Sequence, residues 1–234
     1  MTSDVLLFGA FPYVAMALFL VVSIQRYRKN AYTVSSLSSQ FLEAKQLFWG
    51  SVPFHLGITV LFFGHLIGFL IPRQVALFGA VPLRLLIMEV TGLTAGLLAL
   101  WGCVLLMVRR MTHPRLRVVT SPVDKALYAL LLFQIVTGLW VALFYRWGSA
   151  WYVQTLVPYL RSVFTFQPNL AVMAEMKLIP RLHVIGAFTL IAVFPFTRLM
   201  HVLVAPLPYL WRRPQLVLWN RARAEGAPRP GGTR

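Results

Sequence analysis

The sequence predicts an all-α integral membrane protein, built as a bundle of five transmembrane helices. Hydrophobic residues fill 59% of the 234 positions and charged residues only 12%, a composition that ordinary soluble domains do not have. Five apolar runs can each cross about 30 Å of hydrocarbon as a helix, and none alternates as a strand would. The runs are Val5–Gln25, Leu47–Ile71, Leu85–Val108, Ala126–Tyr145 and Leu182–Ala205.

The basic residues predict how these helices are oriented. The segments between runs one and two and between runs three and four, together with the tail, contain 15 Lys and Arg residues, whereas the other two loops contain 6. Because loops rich in Lys and Arg stay in the cytoplasm, we expect the N-terminus outside and the C-terminus in the cytoplasm. The net charge of +16 is therefore interpreted as an orientation signal, and no nucleic-acid partner is predicted.

Three further features are interpreted in the same membrane context. The first run is too long for a typical signal peptide and is predicted to be a retained span. Cys103 is the only cysteine and lies in an apolar run, which argues against a disulfide or a thiolate metal site. The long connection, residues 146–181, carries aromatic residues suited to a membrane interface; these are Trp147, Trp151, Tyr152 and Tyr159.

Four histidines lie in two of the runs. His55 and His65 are ten residues apart in the second run, and His183 and His201 are 18 residues apart in the fifth. Eighteen residues are five helical turns, which would put the second pair on one helix face. Since the two runs are predicted to cross in opposite directions, His55 should meet His201 near the cytoplasm and His65 should meet His183 near the outside.

Imidazole is costly in hydrocarbon and needs a partner. Two imidazoles from facing helices can hold a b-type haem, with one nitrogen on each side of the iron. Zinc and copper also bind imidazole, but their sites usually add further ligands, and no Cys or carboxylate lies near these histidines in the sequence. A hydrogen-bonding or proton-relay role is the alternative. His113, in a basic loop, is interpreted as an ordinary loop residue.

The histidine spacings do not match each other. Spacings of ten and 18 residues differ by about 12 Å of helical rise. Helix tilt, side-chain reach and a bend at Pro195 must absorb this difference, or one pairing is wrong. The stripe of Gly57, Gly64 and Gly68 in the second run permits close approach, either of another helix or of a flat macrocycle.

These motifs resemble those of the gamma subunit of membrane-bound respiratory nitrate reductase, a dihaem cytochrome b. The resemblance extends from about Phe11 to Leu216 and includes the ten- and 18-residue histidine spacings. It rests on Pro12-Tyr13, Arg26-Tyr27, Tyr32-Thr33, Ser38-Ser39-Gln40, Phe54-His55-Leu56-Gly57-Ile58, Gly64-His65 with Gly68, Arg109-Arg110, Pro114-Arg115, Arg181-Leu182-His183 and Phe194-Pro195-Phe196-Thr197-Arg198-Leu199-Met200-His201.

The resemblance implies a multi-pass protein of the cytoplasmic (inner) membrane with two b haems. His65 and His183 would hold the haem distal to the cytoplasmic subunits, and His55 and His201 the proximal one. Quinol, either menaquinol or ubiquinol, would be oxidised near the distal haem. Electrons would then pass to an iron–sulfur beta subunit and to a molybdenum alpha subunit that reduces nitrate; this chain holds no nitrate-reducing site of its own.

The quinol site is expected at the outer ends of the second and third runs, near His65, Gly68 and Arg84. The resemblance puts Arg84 where the family has a lysine, and the two groups differ in geometry and acidity. Glu89 lies one turn beyond Arg84, and an intramembrane carboxylate is a functional candidate by default. It would accept a quinol proton or pair with Arg84, and the pair is the favoured prediction.

The cytoplasmic arginines have two plausible roles. Arg109, Arg110 or Arg198 would bind haem propionates, since arginine binds carboxylate bidentately, or would serve only topology and anionic membrane lipid. Residues 1–206 are expected to form the dihaem domain, and residues 207–234 a cytoplasmic, partly disordered tail that contacts the partner together with Tyr32–Gln46.

Two alternatives remain open at the level of sequence. Related dihaem subunits serve sulfur-metabolism or heterodisulfide-type complexes, and the ligands alone do not separate these from a nitrate reductase. A haem-free transporter or membrane anchor belongs to a different class, although no run is visibly duplicated, as transporter helices often are.

Overall fold

The computed structural model describes residues 2–30, 34, 45–145 and 151–204. Five helices in this part are long and apolar enough to cross a membrane, which confirms the prediction of a five-span, multi-pass helical protein. We call them spans 1 to 5, and they are Val5–Lys29, Gln46–Leu70, Pro82–Thr112, Pro122–Phe144 and Leu178–Phe196. The orientation of the termini stays a prediction. Trp147, most of the Tyr32–Gln46 segment and the tail from residue 207 lie outside the described residues.

Local sequence signals set the ends of these helices. Span 1 is π-helical over Val5–Ala10 and α-helical over Phe11–Lys29, and span 2 lies in one α-helix, Lys45–Leu70. Span 3 begins at Pro82, as proline favours the first helical position, and is about one turn longer at each end than predicted. Ser121 and Asp124 form a capping box at the start of span 4. Shorter helices cover Pro72–Gly79, Pro114–Val118, Tyr152–Leu156, Val157–Phe164 and Leu170–Ala174.

Glycine lets spans 2 and 3 pack backbone to backbone. A Cβ at Gly102 would lie 2.5 Å from both the backbone oxygen of Gly50 and the backbone nitrogen of Phe54, and a Cβ at Gly57 would lie 2.6 Å from the nitrogen of Ala99. Such distances exclude any side chain, so Gly57 serves helix packing rather than the approach of a macrocycle. The same contacts fix the antiparallel register of the two helices.

The remaining spans pack around two apolar clusters. Span 5 packs against spans 1 and 4, and span 4 also packs against span 3. One cluster joins span 1, the 151–174 helices and span 5 around Phe8, Tyr159 and Phe188. The other joins spans 3 and 4 around Cys103 and Leu131. Spans 2 and 5 are not among the helix pairs in extensive backbone contact within the described residues, so the facing predicted for them depends on side chains.

The prediction that His183 and His201 share one helix is wrong. The α-helix of span 5 ends at Val193, a 3₁₀ turn covers Phe194–Phe196, Thr197 is extended, and a second 3₁₀ segment covers Arg198–Val204. The break occurs at Pro195, which has no N–H to continue the helix. Arg26 of span 1 donates to the freed carbonyls of Pro195 and Thr197 at 2.6 and 3.2 Å. One straight helix therefore does not carry both histidines, and the spacing mismatch no longer applies.

The long connection does not behave as the interfacial belt predicted for it. Tyr159 is fully buried inside the protein, and its hydroxyl donates to the backbone oxygen of Phe8 at 2.7 Å. Burial can outweigh the amphipathic preference of tyrosine because this hydrogen bond satisfies the hydroxyl. Arg161 donates to the last carbonyls of span 2, Phe69 and Leu70, at 3.0 and 3.1 Å. The connection therefore holds the C-terminal end of span 2 in place.

Candidate functional site: two histidine pairs

The structure brings His55 of span 2 against His201 of the segment after the span 5 break. Their ring centres are 6.2 Å apart and their planes are inclined by 67°. His55 Nδ1 lies 2.8 Å from the backbone oxygen of Ser51, and His201 Nδ1 lies 2.6 Å from that of Arg198. A carbonyl only accepts, so each Nδ1 carries the proton and each Nε2 keeps a lone pair for a ligand.

His65 is held in the same way, ten residues further along span 2. Its Nδ1 lies 2.7 Å from the backbone oxygen of Leu61. The ring of Tyr152 packs edge-on against it at 5.1 Å, and the Tyr152 hydroxyl donates to the His65 backbone oxygen at 2.9 Å. Tyr152 belongs to the long connection and was missed as a site residue. No short-range signal in the sequence points to it, since 87 residues separate it from His65.

His183 of span 5 is fixed by span 4. Its Nδ1 is 3.0 Å from Thr137 Oγ1, whose own proton goes to the backbone oxygen of Phe133 at 2.8 Å. Thr137 therefore accepts the Nδ1 proton of His183. The amide nitrogen of Gln134 lies 3.2 Å from His183 Nε2 and 3.1 Å from the His183 backbone oxygen. The Gln134 amide therefore occupies the position next to His183 Nε2 that a metal ion would take, and Gln134 would have to move for a metal ion to bind there.

Small residues make room for the outer pair. A Cβ at Gly138 of span 4 would lie 3.0 Å from the Cε1 atom of His183, and a Cβ at Gly68 would lie 2.7 Å from the Cε1 atom of Tyr152. Gly68 therefore admits the Tyr152 ring. A Cβ at Gly64 would meet nothing within 4 Å. The three glycines of the span 2 stripe have three different environments.

Arg84 and Glu89 do not form the ion pair that was favoured for them, and that prediction is wrong. The Arg84 guanidinium lies over the ring of Phe78, 5.3 Å from its centre. Glu89 Oε1 is buried and has no hydrogen-bond partner among the described residues. Phe78 lies on the helix before span 3, and its ring gives the Arg84 guanidinium a cation–π partner in place of Glu89. The spacing in the sequence does not reveal this contact.

Asp124 is a buried anion that the sequence analysis did not single out. It is 4% exposed, and both of its carboxylate oxygens accept from Arg198, at 2.6 and 2.9 Å. Arg110 lies 3.8 Å from the same carboxylate. The S-x-x-D pattern of a capping box was the available signal. Arg198 is three residues before His201, so this cluster connects the ends of spans 3 and 4 to the inner histidine pair.

The structure brings one pair of imidazoles together, His55 with His201, whereas the pairing of His65 with His183 stays a prediction. In the described part of the chain, no three His, Cys, Asp or Glu side chains converge on one point. Two imidazoles without further side-chain ligands suit a metal whose other ligands come from a macrocycle. The propionate roles of Arg110 and Arg198 stay predictions, as does that of Arg109, which is buried.

Comparisons with known proteins agree with the predicted resemblance. The family model described as nitrate reductase gamma subunit matches residues 4–220. The chain is 35% identical over 214 residues to the nitrate reductase gamma chain of Bacillus subtilis (strain 168), covering 90% of this chain and 96% of that one.

Two Escherichia coli (strain K12) proteins give similar matches. The chain is 35% identical over 223 residues to respiratory nitrate reductase 2 gamma chain, covering 93% of this chain and 98% of that one. It is 35% identical over 215 residues to respiratory nitrate reductase 1 gamma chain, with 90% and 95% covered. The chain therefore belongs to the nitrate reductase gamma subunit family.

Proposed function

We propose that this chain is the membrane electron-transfer subunit of a respiratory nitrate reductase, and that it oxidises quinol on the outer side of the cytoplasmic membrane. Family membership supports the assignment to the complex. The observation that carries the electron-transfer role is the contact of His55 with His201; we infer that His65 and His183 form a second pair. Two b haems, when bound to these pairs, supply one-electron carriers between quinol and a soluble partner.

The residues present fit this pair of cofactors. Metal–imidazole bonds are about 2 Å long, and the 6.2 Å between the ring centres of His55 and His201 leaves room for one metal ion between them. Three of the four rings give their Nδ1 proton to a backbone carbonyl, and His183 gives its proton to Thr137. Such partners fix ring orientation and raise the basicity of the ligating nitrogen.

The two pairs lie at different depths. His55 and His65 are ten residues apart in one helix, which is about 15 Å along its axis. Each electron that moves inward between them while quinol protons leave to the outside stores about 2.3 kcal/mol per 100 mV of potential crossed. The chain's role is therefore to separate charge as well as to deliver electrons.

The quinol site is proposed at the outer ends of spans 2 and 3. His65 and Gly68 lie at this end of span 2, and Arg84 lies at the same end of span 3. Tyr152 joins this set because it contacts both His65 and Gly68. Arg84 supplies a fixed positive charge that favours an anionic quinol oxygen. Electrons would leave at the cytoplasmic end to an iron–sulfur beta subunit and a molybdenum alpha subunit.

The visible spectrum of the membrane protein tests this proposal directly. A reduced-minus-oxidised spectrum should show b-type haem at about two per chain. His65→Ala and His201→Ala should each remove one haem and spare the other. An absent signal rejects the haem assignment, and loss of both haems from either variant rejects the pairing. Co-purification with a molybdenum enzyme separates this function from a role in a sulfur-metabolism or heterodisulfide-type complex.

A further inference from the structure

We propose that Glu89 is the carboxylate that receives the protons of quinol at the outer site, a role that rests on the proposed function. Glu89 lies inside the apolar span 3, and its Oε1 atom is buried without a hydrogen-bond partner in the part of the chain that the structure describes. No ion pair to Glu89 occurs there either. A buried carboxylate oxygen without a partner is free to accept a hydrogen bond or a proton from a bound ligand.

The helix register places Glu89 at the depth of the outer histidine pair. Gly57 packs against Ala99, and Gly102 packs against Gly50 and Phe54. Continuing that antiparallel register outward by two turns brings Glu89 level with His65. A proton acceptor at this level is on the correct side of the molecule for protons that leave to the outside.

The helix face also places Glu89 toward the bundle. Glu89 lies two turns before Gly96, on the stripe that continues to Ala99 and Cys103. A Cβ at Gly96 would lie 2.7 Å from Leu139 of span 4, and Ala99 and Cys103 are buried against span 4. Helix periodicity therefore puts Glu89 on the same face of span 3 as Gly96, and Leu139, which contacts Gly96, follows Gly138, the residue that packs on His183.

Three other titratable groups near this depth, His65, Arg84 and Tyr152, do not serve as the base. His65 gives its Nδ1 proton to Leu61 and uses Nε2 for the metal in the proposed function. Arginine keeps its proton in proteins, which removes Arg84. Burial raises the pKa of the Tyr152 hydroxyl to about 12, so Tyr152 stays protonated near neutral pH. Of the four side chains compared here, the Glu89 carboxylate is therefore the one that can accept a quinol proton.

The proposed step balances in protons and electrons. Oxidation of one quinol to quinone breaks two O–H bonds and releases two electrons and two protons. The protons pass one at a time to the Glu89 carboxylate, forming an O–H bond that is broken again when the proton leaves to water at the outer face. The two electrons would leave one at a time to the haems that the histidine pairs would hold, and from there to the soluble partner, which is the oxidant.

Glu89→Gln tests the proposal in the purified complex because it keeps the size of the side chain and removes the proton acceptor. Haem content and reduction by dithionite should match the native protein, while the rate of haem reduction by quinol should fall about a hundredfold. Glu89→Asp should recover a large part of this rate. Glu175→Gln, which changes an exposed carboxylate just after the Leu170–Ala174 helix, is the matched control and should keep the native rate.

Infrared difference spectra provide a readout that does not depend on turnover. Quinol-induced reduction of the native complex should produce a carboxyl C=O band that is missing from Glu89→Gln and present in Glu175→Gln. A native quinol rate in Glu89→Gln, a native carboxyl band in that variant, or loss of haem from both Glu89 variants would overturn the proposal. Native haems that dithionite reduces and quinol does not would instead overturn the proposed function itself.

Discussion

At the scale of single residues, the chemistry of each histidine depends on which nitrogen keeps the proton. Backbone carbonyls settle this for His55, His65 and His201, whereas His183 relies on a side chain, Thr137. The hydroxyl of Thr137 has only one proton and gives it to Phe133. Thr137 is therefore a positioning residue for His183, and its substitution should affect one histidine pair only.

Thr137→Val should alter the outer site selectively. The variant leaves the His183 Nδ1–H without an acceptor, which costs about 1–3 kcal/mol, and makes the imidazole a weaker electron donor. We expect the midpoint potential of the distal haem to rise and its occupancy to fall, while the proximal haem keeps its native values. A redox titration followed by visible absorption measures both. Thr137→Ser retains the acceptor and should behave as native; an equal shift of both haems would refute the assignment.

Arg84 provides a second test at this scale. Its guanidinium packs on Phe78 and has no role in holding a histidine. Arg84→Ala should therefore leave haem content unchanged and slow haem reduction by quinol by about tenfold or more, because a charge-assisted hydrogen bond of about 1.5–3 kcal/mol is lost. Arg84→Lys keeps the charge and should retain part of the rate. Loss of haem from Arg84→Ala would show that the residue is structural.

At the scale of elements, the broken end of span 5 decides where His201 points. The break exposes carbonyls that span 1 satisfies through Arg26. It also begins a 3₁₀ segment that the Asp124–Arg198 pair holds to the start of span 4. Because Arg198 also accepts from His201 through its backbone oxygen, the orientation of His201 depends on the ion pair between Arg198 and Asp124 of span 4.

Asp124→Asn should disturb the inner histidine pair and spare the outer one. Breaking a buried ion pair by removing one partner costs about 3–5 kcal/mol, because an uncompensated charge is left behind. We expect loss or a shifted potential of the proximal haem, with the distal haem unchanged. Haem content and potentiometry of the two centres measure this. Asp4→Asn removes the partner of Arg181 at the other end of the bundle and is the matched control; proximal haem loss in that variant as well would point to general destabilisation.

At the scale of the whole molecule, function depends on having two sites at two depths in a membrane of known polarity. The ten residues that separate His55 from His65 on one helix fix their relative depths, while the basic loops predict which end faces the cytoplasm. Electron transfer from the level of His65 and His183 to the level of His55 and His201 stores energy only if His65 and His183 lie near the outer face of the membrane.

Cysteine labelling tests that orientation without any assay of activity. Gln167 and Arg115 are exposed and lie beyond opposite ends of the spans, whereas the native Cys103 is 1% exposed and should not react. A membrane-impermeant maleimide should label Gln167→Cys in intact cells and Arg115→Cys only after permeabilisation. The reverse pattern would show that the topology is opposite to the prediction. Labelling of the unaltered chain would show that Cys103 reacts, and the unaltered chain could then not serve as the unlabelled control.

The sequence by itself determined the five spans, the four histidines and their assignment to two levels. A bilayer requires about 20 apolar residues for each crossing helix, and it makes polar residues inside a span rare enough to be informative. These constraints act along the chain and can be read from spacing and composition. The family resemblance added the chemistry expected of the histidines, and the comparisons confirmed the family.

The tertiary structure alone decided the surroundings of those histidines. Three features depend on residues that are far apart in the sequence. They are the end of the helix at Pro195, the packing of Tyr152 on Gly68, and the pairing of Asp124 with Arg198. The favoured pairing of Arg84 with Glu89 was wrong because five residues, about 1.4 helical turns, put the two side chains on different faces of span 3, and the Arg84 guanidinium packs on Phe78 of another helix. Spacing states which groups can meet, and packing determines which of them do.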